Sequence, residues 1–428
     1  MRLELGKVKI DHVAFSERTC VKDRTLHINK RELSTYLEED PYIQDVEIEL
    51  ARPGESVRII PIIDIVEPRV KIGETTGVFP GILTDMHAAG EGITHVLDGC
   101  AVMTIAKDLL HFTQGIVDMS GPGAAYTSFS KLNNVVVLIT PIDAIDDYNY
   151  EQSVRLAGLK AAAYLGKAAA DLEPHAREIL VDDPIIDAVQ KYPDLPRIAY
   201  VYMLISQRRI DHTVYGLDAE GMLPTLMSPT EVIDGAVVSW LTPAACHRNT
   251  TYHHLRNPVI FELLRRHGKE VCFLGVIVTN SVLTLAGKER ASVFVTRIAT
   301  RIGAQGVIIT EDGAGNPDTD LMLHCKNLEE AGIKTVLVTD EICGRDGASQ
   351  ALADVTDRAD AVISTGNMNE LLTLPPMHRV IGCLEAVERI AGGFYGSLHH
   401  DESITIEATG LMGALCELGF ERITTRLR

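Results

Sequence analysis

No run of eighteen apolar residues occurs in the 428-residue chain, so no membrane-crossing helix is expected. Basic residues are short: 40 Lys and Arg stand against 59 Asp and Glu, a formal net charge of -19. A surface this acidic repels phosphate backbones, which argues against nucleic acid as a partner. No C-x-x-C is present among the 8 Cys, so they read as reduced, mostly buried thiols of a cytoplasmic protein. Nothing at the start resembles a signal peptide, because residues 1–10, MRLELGKVKI, interleave charged and apolar side chains. Aromatics are sparse at 5%, with a single Trp. The apolar bulk therefore comes from Val, Ile, Leu and Ala, which suits buried parallel strands flanked by helices.

What is present is a change of rhythm along the chain. The first part is strand-like: residues 45–50 (DVEIEL) alternate polar and apolar, and NNVVVLI is strongly apolar. THVLDGCAVMTI reads as a buried strand with a Gly in it. RLAGLKAAAYLGKAAADL is the clearest helix, rich in Ala. Further on, strands alternate with helices: VCFLGVIVTN, KERASVFVTRIATRIG, GVIITEDG, DTDLMLHCKNLEEAG, KTVLVTDEI, ASQALADVTDRA and DAVISTGN. That order predicts a parallel sheet with crossover helices. The expected fold is α/β: an N-terminal β-rich α/β domain over residues 1–233, then a doubly wound, Rossmann-like or flavodoxin-like domain over 234–428. The predicted strands end in polar residues, Thr279-Asn280, Thr310-Glu311-Asp312, Thr339-Asp340-Glu341 and Ser364-Thr365-Gly366-Asn367. Ligands of open parallel sheets bind beyond these carboxyl ends.

Several stretches carry candidate chemistry. EDGAGNPDTD, residues 311–320, lies between a strand and a helix and offers oxygen ligands for a divalent metal, although it lacks EF-hand spacing and also reads as a helix start. GRDGASQ offers Arg345 for a substrate carboxylate, or for an ion pair within its own loop. SGPGAAYTSFSK precedes a strand rather than following one, so it reads as a structural loop and not a phosphate cradle. Residues 237–260, VVSWLTPAACHRNTTYHHLRNPVI, hold Cys246, His253 and His254 without the spacing of a four-ligand zinc site. If the two adjacent His lie on a strand, only one faces a given site.

Long motifs then follow one another in order: ELARPGESVRIIP, GVFPGI, GIVDMSGPGAAYTSFSK, RLAGLKAA, PTEVIDGAVVS, NTTYHHLRNPVI, GNPDTDL, GRDGASQALAD and AGGFYGSL. With them the chain resembles, over its whole length, the α/β-subunit precursor of component B of the glycine, sarcosine and betaine reductases. The D-proline reductase precursor is a more distant relative. The resemblance implies reductive C–N cleavage of a small amino-acid-like substrate within a hetero-oligomer. It implies a selenoprotein-B-like, gamma-type partner subunit whose selenocysteine attacks carbon. In such precursors a Cys after an Asn cleaves the chain and leaves a pyruvoyl group, an electron sink for a substrate amine.

Read across from Asp234-Gly235-Ala236, that pair falls on Leu241-Thr242. Thr lacks the thiol, and elimination there would leave a 2-oxobutyryl group. Asn280-Ser281 is a second dipeptide with a processing-competent hydroxyl. The expectation is an uncleaved chain without a pyruvoyl group, and so without a cofactor; a divalent metal is the alternative. Betaine shows that the chemistry does not always need the ketone, since a quaternary nitrogen forms no Schiff base. Expected catalytic residues are Thr242, Cys246, His253 and His254, and expected substrate-binding residues are Glu311, Asp318, Asp340 and Arg345. A C–N hydrolase or lyase on the same scaffold, or a non-catalytic docking subunit, would be the alternative functions. Dependence on a dithiol reductant separates the first reading from the hydrolytic one.

Overall fold

In the computed structural model, the residues described are 1–73, 77–107, 114–207, 212–239 and 249–419. They form a mixed α/β architecture with several sheets. None of their helices is long and apolar enough to cross a membrane.

Two four-stranded sheets dominate the N-terminal half. One runs Ala176–Val181, Arg2–Lys9, Gly92–Asp98, Arg69–Ile72; the other runs Ile43–Ala51, Asn133–Pro141, Cys100–Ala106, Asp64–Val66. The stretch expected as one strand with a Gly is two strands belonging to different sheets. Gly99 makes the break at φ +92°, where a Cβ would stand 2.7 Å from the Ile10 carbonyl oxygen. The Ala-rich helix forms over Asp147–Gly166. Its small residues Ala157, Ala161 and Ala162 share a core with Val66, Leu97 and Val102. Gly158 permits the close approach, since a Cβ there would lie 2.8 Å from Thr104 Cγ2.

The second half is built on one six-stranded sheet. Its parallel strands and their helices are numbered here in chain order: β1 (Arg197–Ile205), β2 (Cys272–Ser281), α1 (Leu285–Arg301), β3 (Gly306–Thr310), α2 (Asn316–Glu330), β4 (Lys334–Glu341) and β5 (Val362–Asn367). Their spatial order is 2-1-3-4-5, all parallel, with Thr225–Met227 antiparallel on the outer edge of β2. Both β1 and the edge strand precede residue 233, so the sheet draws on either side of that point.

Both faces of the sheet are covered. Val201 and Met203 of β1 pack with Val295 and Ala299 of α1 and with Leu321 and Cys325 of α2. Tyr200, Tyr202 and Leu204 point the other way, toward Val259, Ile260 and Leu263 and toward Leu3, Leu5 and Val96 of the N-terminal half. Alternation along one strand thus feeds two cores. Strand β2 is buried at every position, which explains its unbroken apolar reading.

One expected element is absent. ASQALADVTDRA forms turns, not a helix. Asp354 Oδ1 accepts the Val355 N–H and Thr356 Oγ1 accepts the Arg358 N–H. These local side-chain bonds compete with the helical ladder, and Val355 and Thr356 are β-branched.

Order reversal in an open parallel sheet creates a crevice where neighbouring connections leave in opposite directions. Here that point lies between β1 and β3. Residues 408–419 cross the strand ends there. Thr365 Oγ1 of β5 donates to the Leu415 carbonyl at 2.9 Å, and the Met412 N–H donates to the Ile116 carbonyl at 3.0 Å.

Candidate functional site

Glu311 and Asp312 directly follow β3, and Asp340 lies on β4 near its end; all three are fully buried. Asp312 ties the crevice together: its Oδ2 accepts the Ile205 N–H from the end of β1 at 3.0 Å. The same oxygen lies 2.8 Å from His212 Nε2.

From Asp312 a buried chain of polar groups leads away. His212 Nδ1 is 3.3 Å from His254 Nε2. His254 Nδ1 is 2.6 Å from the Tyr202 hydroxyl. One arrangement of protons fits the first two links: Tyr202 donates to His254 Nδ1, and His254 Nε2–H donates to His212 Nδ1. His212 Nε2 lies close to Asp312 without completing a hydrogen bond among the described residues. Burial holds the Tyr202 hydroxyl well above the ordinary tyrosine range, with Tyr200, Asp312 and Cys416 adding to it, so Tyr202 enters the chain as a neutral phenol. Tyr200 stacks on Tyr202 with ring centroids 5.4 Å apart, and its hydroxyl meets Thr310 Oγ1 at 2.6 Å.

A group of carboxyls surrounds the Asp312 end. Asp318, in the first turn of α2, accepts the Gly315 N–H at 2.6 Å and the Ala353 N–H at 2.5 Å. Burial, then the neighbouring Asp318, pushes the Glu311 carboxyl well up; its Oε2 accepts the Thr339 hydroxyl at 2.5 Å. Burial raises Asp318 as well. Burial thus biases both the Glu311 and the Asp318 carboxyls toward their protonated forms. Glu417 enters from the 408–419 segment, fully buried. Burial raises it well above the usual range, and Asp340, Glu311 and Asp312 reinforce the shift. Among the described residues no three His, Cys, Asp or Glu side chains converge in a way that could hold a metal ion.

The expected site residues divide. Glu311, Asp318, Asp340 and His254 are brought to this crevice. His253 is beside it but serves its helix: the pair lies on the short helix Thr251–Leu255, not on a strand. His253 Nδ1 accepts the Thr250 N–H at 3.1 Å while Thr250 Oγ1 accepts the His253 N–H at 3.3 Å, a reciprocal cap. Arg345 stands apart; it is half-exposed, bonded to Glu407 at 2.6 Å and stacked on Phe394 at 4.4 Å. Thr242 and Cys246 lie outside the described residues. Ser281 is buried and donates to Asp320 Oδ2 at 2.7 Å, and Lys288 pairs with the same oxygen.

Tyr202, His212, Cys416 and Glu417 were not singled out from sequence, and Asp312 was named only as a strand-end residue and within the acidic loop. Asp312 was within reach as the neighbour of Glu311. His212 and Glu417 join only through the tertiary fold, and no spacing announces them.

Comparison with known proteins is consistent along the whole chain. The family model described as glycine/sarcosine/betaine reductase component B subunits matches residues 1–426. The glycine reductase complex component B subunits alpha and beta of Acetoanaerobium sticklandii are 47% identical over 429 residues, covering 100% of both chains. The sarcosine reductase complex component B subunit alpha of Peptoclostridium acidaminophilum is 45% identical over 427 residues, again covering 100% of both. The betaine reductase complex component B subunit alpha of the same organism is 38% identical over 424 residues, covering 96% of this chain and 95% of its own. No solved structure matches the chain.

Proposed function

The chain belongs to the family of glycine/sarcosine/betaine reductase component B subunits, and we propose that it acts, uncleaved, on the C–N bond of a small amino-acid-like substrate. As a component B subunit it works within a multi-subunit reductase complex. The observation that carries the reading is the full-length match to glycine and sarcosine reductase subunits. The buried proton-bearing crevice supports it. The parallel sheet with its helices is taken as a doubly wound substrate domain, and the β-rich half as the body that buries its other face. The setting is the cytoplasm, and the partner is a gamma-type subunit like selenoprotein B.

The residues at the processing position do not fit a pyruvoyl group. Position 242 is Thr, whose Cβ carries a methyl, so elimination would leave 2-oxobutyryl instead. The proposed reading asks for no carbonyl from this chain.

Reductive cleavage needs a nucleophile at carbon and a proton for the departing nitrogen, which leaves with the C–N electron pair. The partner's selenol or thiol supplies the nucleophile. This chain binds the substrate and moves the proton. The Tyr202–His254–His212–Asp312 sequence of contacts is a buried path along which a proton passes by one tautomer change at each imidazole.

The test is amine release from glycine, sarcosine and betaine by the chain purified with its co-purifying subunit, with and without dithiol. Release that requires the dithiol is expected. Release that proceeds equally without it would favour hydrolysis and overturn the reading.

A further inference from the structure

Glu417 is the unexplained group of the crevice. It is 0% exposed, and neither carboxyl oxygen has a hydrogen-bond partner among the described residues. Asp312 Oδ1 is likewise buried without a partner. Buried carboxyls are almost always bonded or paired, because desolvation is otherwise uncompensated. The charged groups that act most strongly on Glu417 are Asp340, Glu311 and Asp312, all acids. Among the described residues, neither Lys nor Arg is among the largest influences on Glu417, Glu311 or Asp318. Among the described residues His212 stands beside Asp312, with His254 next to it. The crevice thus concentrates hydrogen-bond acceptors at the point of the sheet where ligands bind.

We propose that Glu417 and Asp312 form the subsite for the positively charged nitrogen of the substrate, and that it selects a primary or secondary ammonium. This inference rests on the functional reading above. The three open oxygens need N–H donors, which glycine and sarcosine carry and a quaternary nitrogen lacks. Glu417 is delivered by residues 411–418, the stretch that Thr365 holds over the strand ends through Leu415. Entry of substrate therefore requires this stretch to part from β5, and the ammonium secures it on return. In the empty site the raised affinity of Glu417 for a proton keeps the carboxyl neutral, so the incoming cation displaces a proton to solvent.

The experiment is calorimetric titration of the full-length chain with glycine, sarcosine and betaine, in two buffers of different ionisation heat. Glycine or sarcosine is expected to bind with release of protons, and betaine at least about tenfold more weakly. Glu417→Gln keeps the shape and removes the charge; it should weaken glycine or sarcosine about tenfold or more and lower the proton release. Glu385→Gln, on the surface, should change neither. Three results would overturn the subsite: no binding of any of the three, betaine bound as tightly as the others, or no proton release. The proton measurement uses the wild-type chain, so it decides even if the variant folds poorly. The two readings fail separately. Dithiol-dependent amine release with unchanged KM in Glu417→Gln removes the subsite and leaves the function. Ammonium binding without amine release does the reverse.

Discussion

His324 makes the molecule sensitive to mild acid, by an amount the structure sets. It lies on α2, fully buried, and neither ring nitrogen has a hydrogen-bond partner among the described residues. Burial, then the ammonium of Lys288 on α1, pushes its pKa down to about 3 from 6.5. The unfolded chain takes up the proton first as pH falls. Its contribution is therefore complete above 6.5 and is lost progressively as pH falls toward about 3. Each pH unit in that window costs about 1.4 kcal/mol, so acidification from 6.5 to 5 removes roughly 2 kcal/mol. Asp320, one turn away, has the opposite slope. Burial raises it to about 6, so its contribution is full below 3.8 and is lost as pH rises to about 6. Comparison of wild type with His324→Leu cancels that term. In calorimetry at pH 7 and pH 5 the wild-type midpoint should fall by about 2 °C more than the variant's, given the unfolding entropy of a chain this size. Equal losses would refute the assignment of a neutral, buried His324.

Three further outcomes follow from the site and its surroundings. Tyr202→Phe leaves His254 Nδ1 without its donor; amine release should fall at least about tenfold with KM nearly unchanged, and unfolding should come about 1–2 kcal/mol sooner. A KM effect alone would remove Tyr202 from the proton path. Gly413→Ala should destabilise by roughly 1–2 kcal/mol in urea unfolding, because φ is +70° and the new Cβ would stand 3.0 Å from His253 Cε1. Arg345→Ala should cost under about 1 kcal/mol and leave substrate affinity unchanged, since its partner Glu407 and the Phe394 ring account for it at the surface. A large loss of affinity would return Arg345 to the site.

The strands of the second half were legible because each is an apolar run closed by polar residues; burial on both faces produces that run in β2, while β5 at the edge is partly exposed. Their spatial order was not, since nothing local says that β3 pairs with β1 rather than with β2. The 348–359 helix was misread from its Ala and Leu content; Asp354 and Thr356 bond the backbone locally and prevail. The His pair was weighed as if on a strand, and the short helix capped by Thr250 changes what each can face. Glu311 and Asp340 could be placed near the crevice because they sit at the carboxyl ends of parallel strands, and Asp318 because the acidic loop opens the next helix. Glu417 was not, because it arrives from a segment about a hundred residues away in the chain that only the tertiary fold lays across the crevice.

The central claim is that this component B chain works without cleaving itself. Intact mass of the purified protein, with a hydrazine-type carbonyl probe added to a second aliquot, tests it most directly. The account predicts a single unlabelled chain of 46.8 kDa. Two fragments meeting between Leu241 and Thr242, the second labelled by the probe, would contradict it and restore an internal carbonyl as the electron sink.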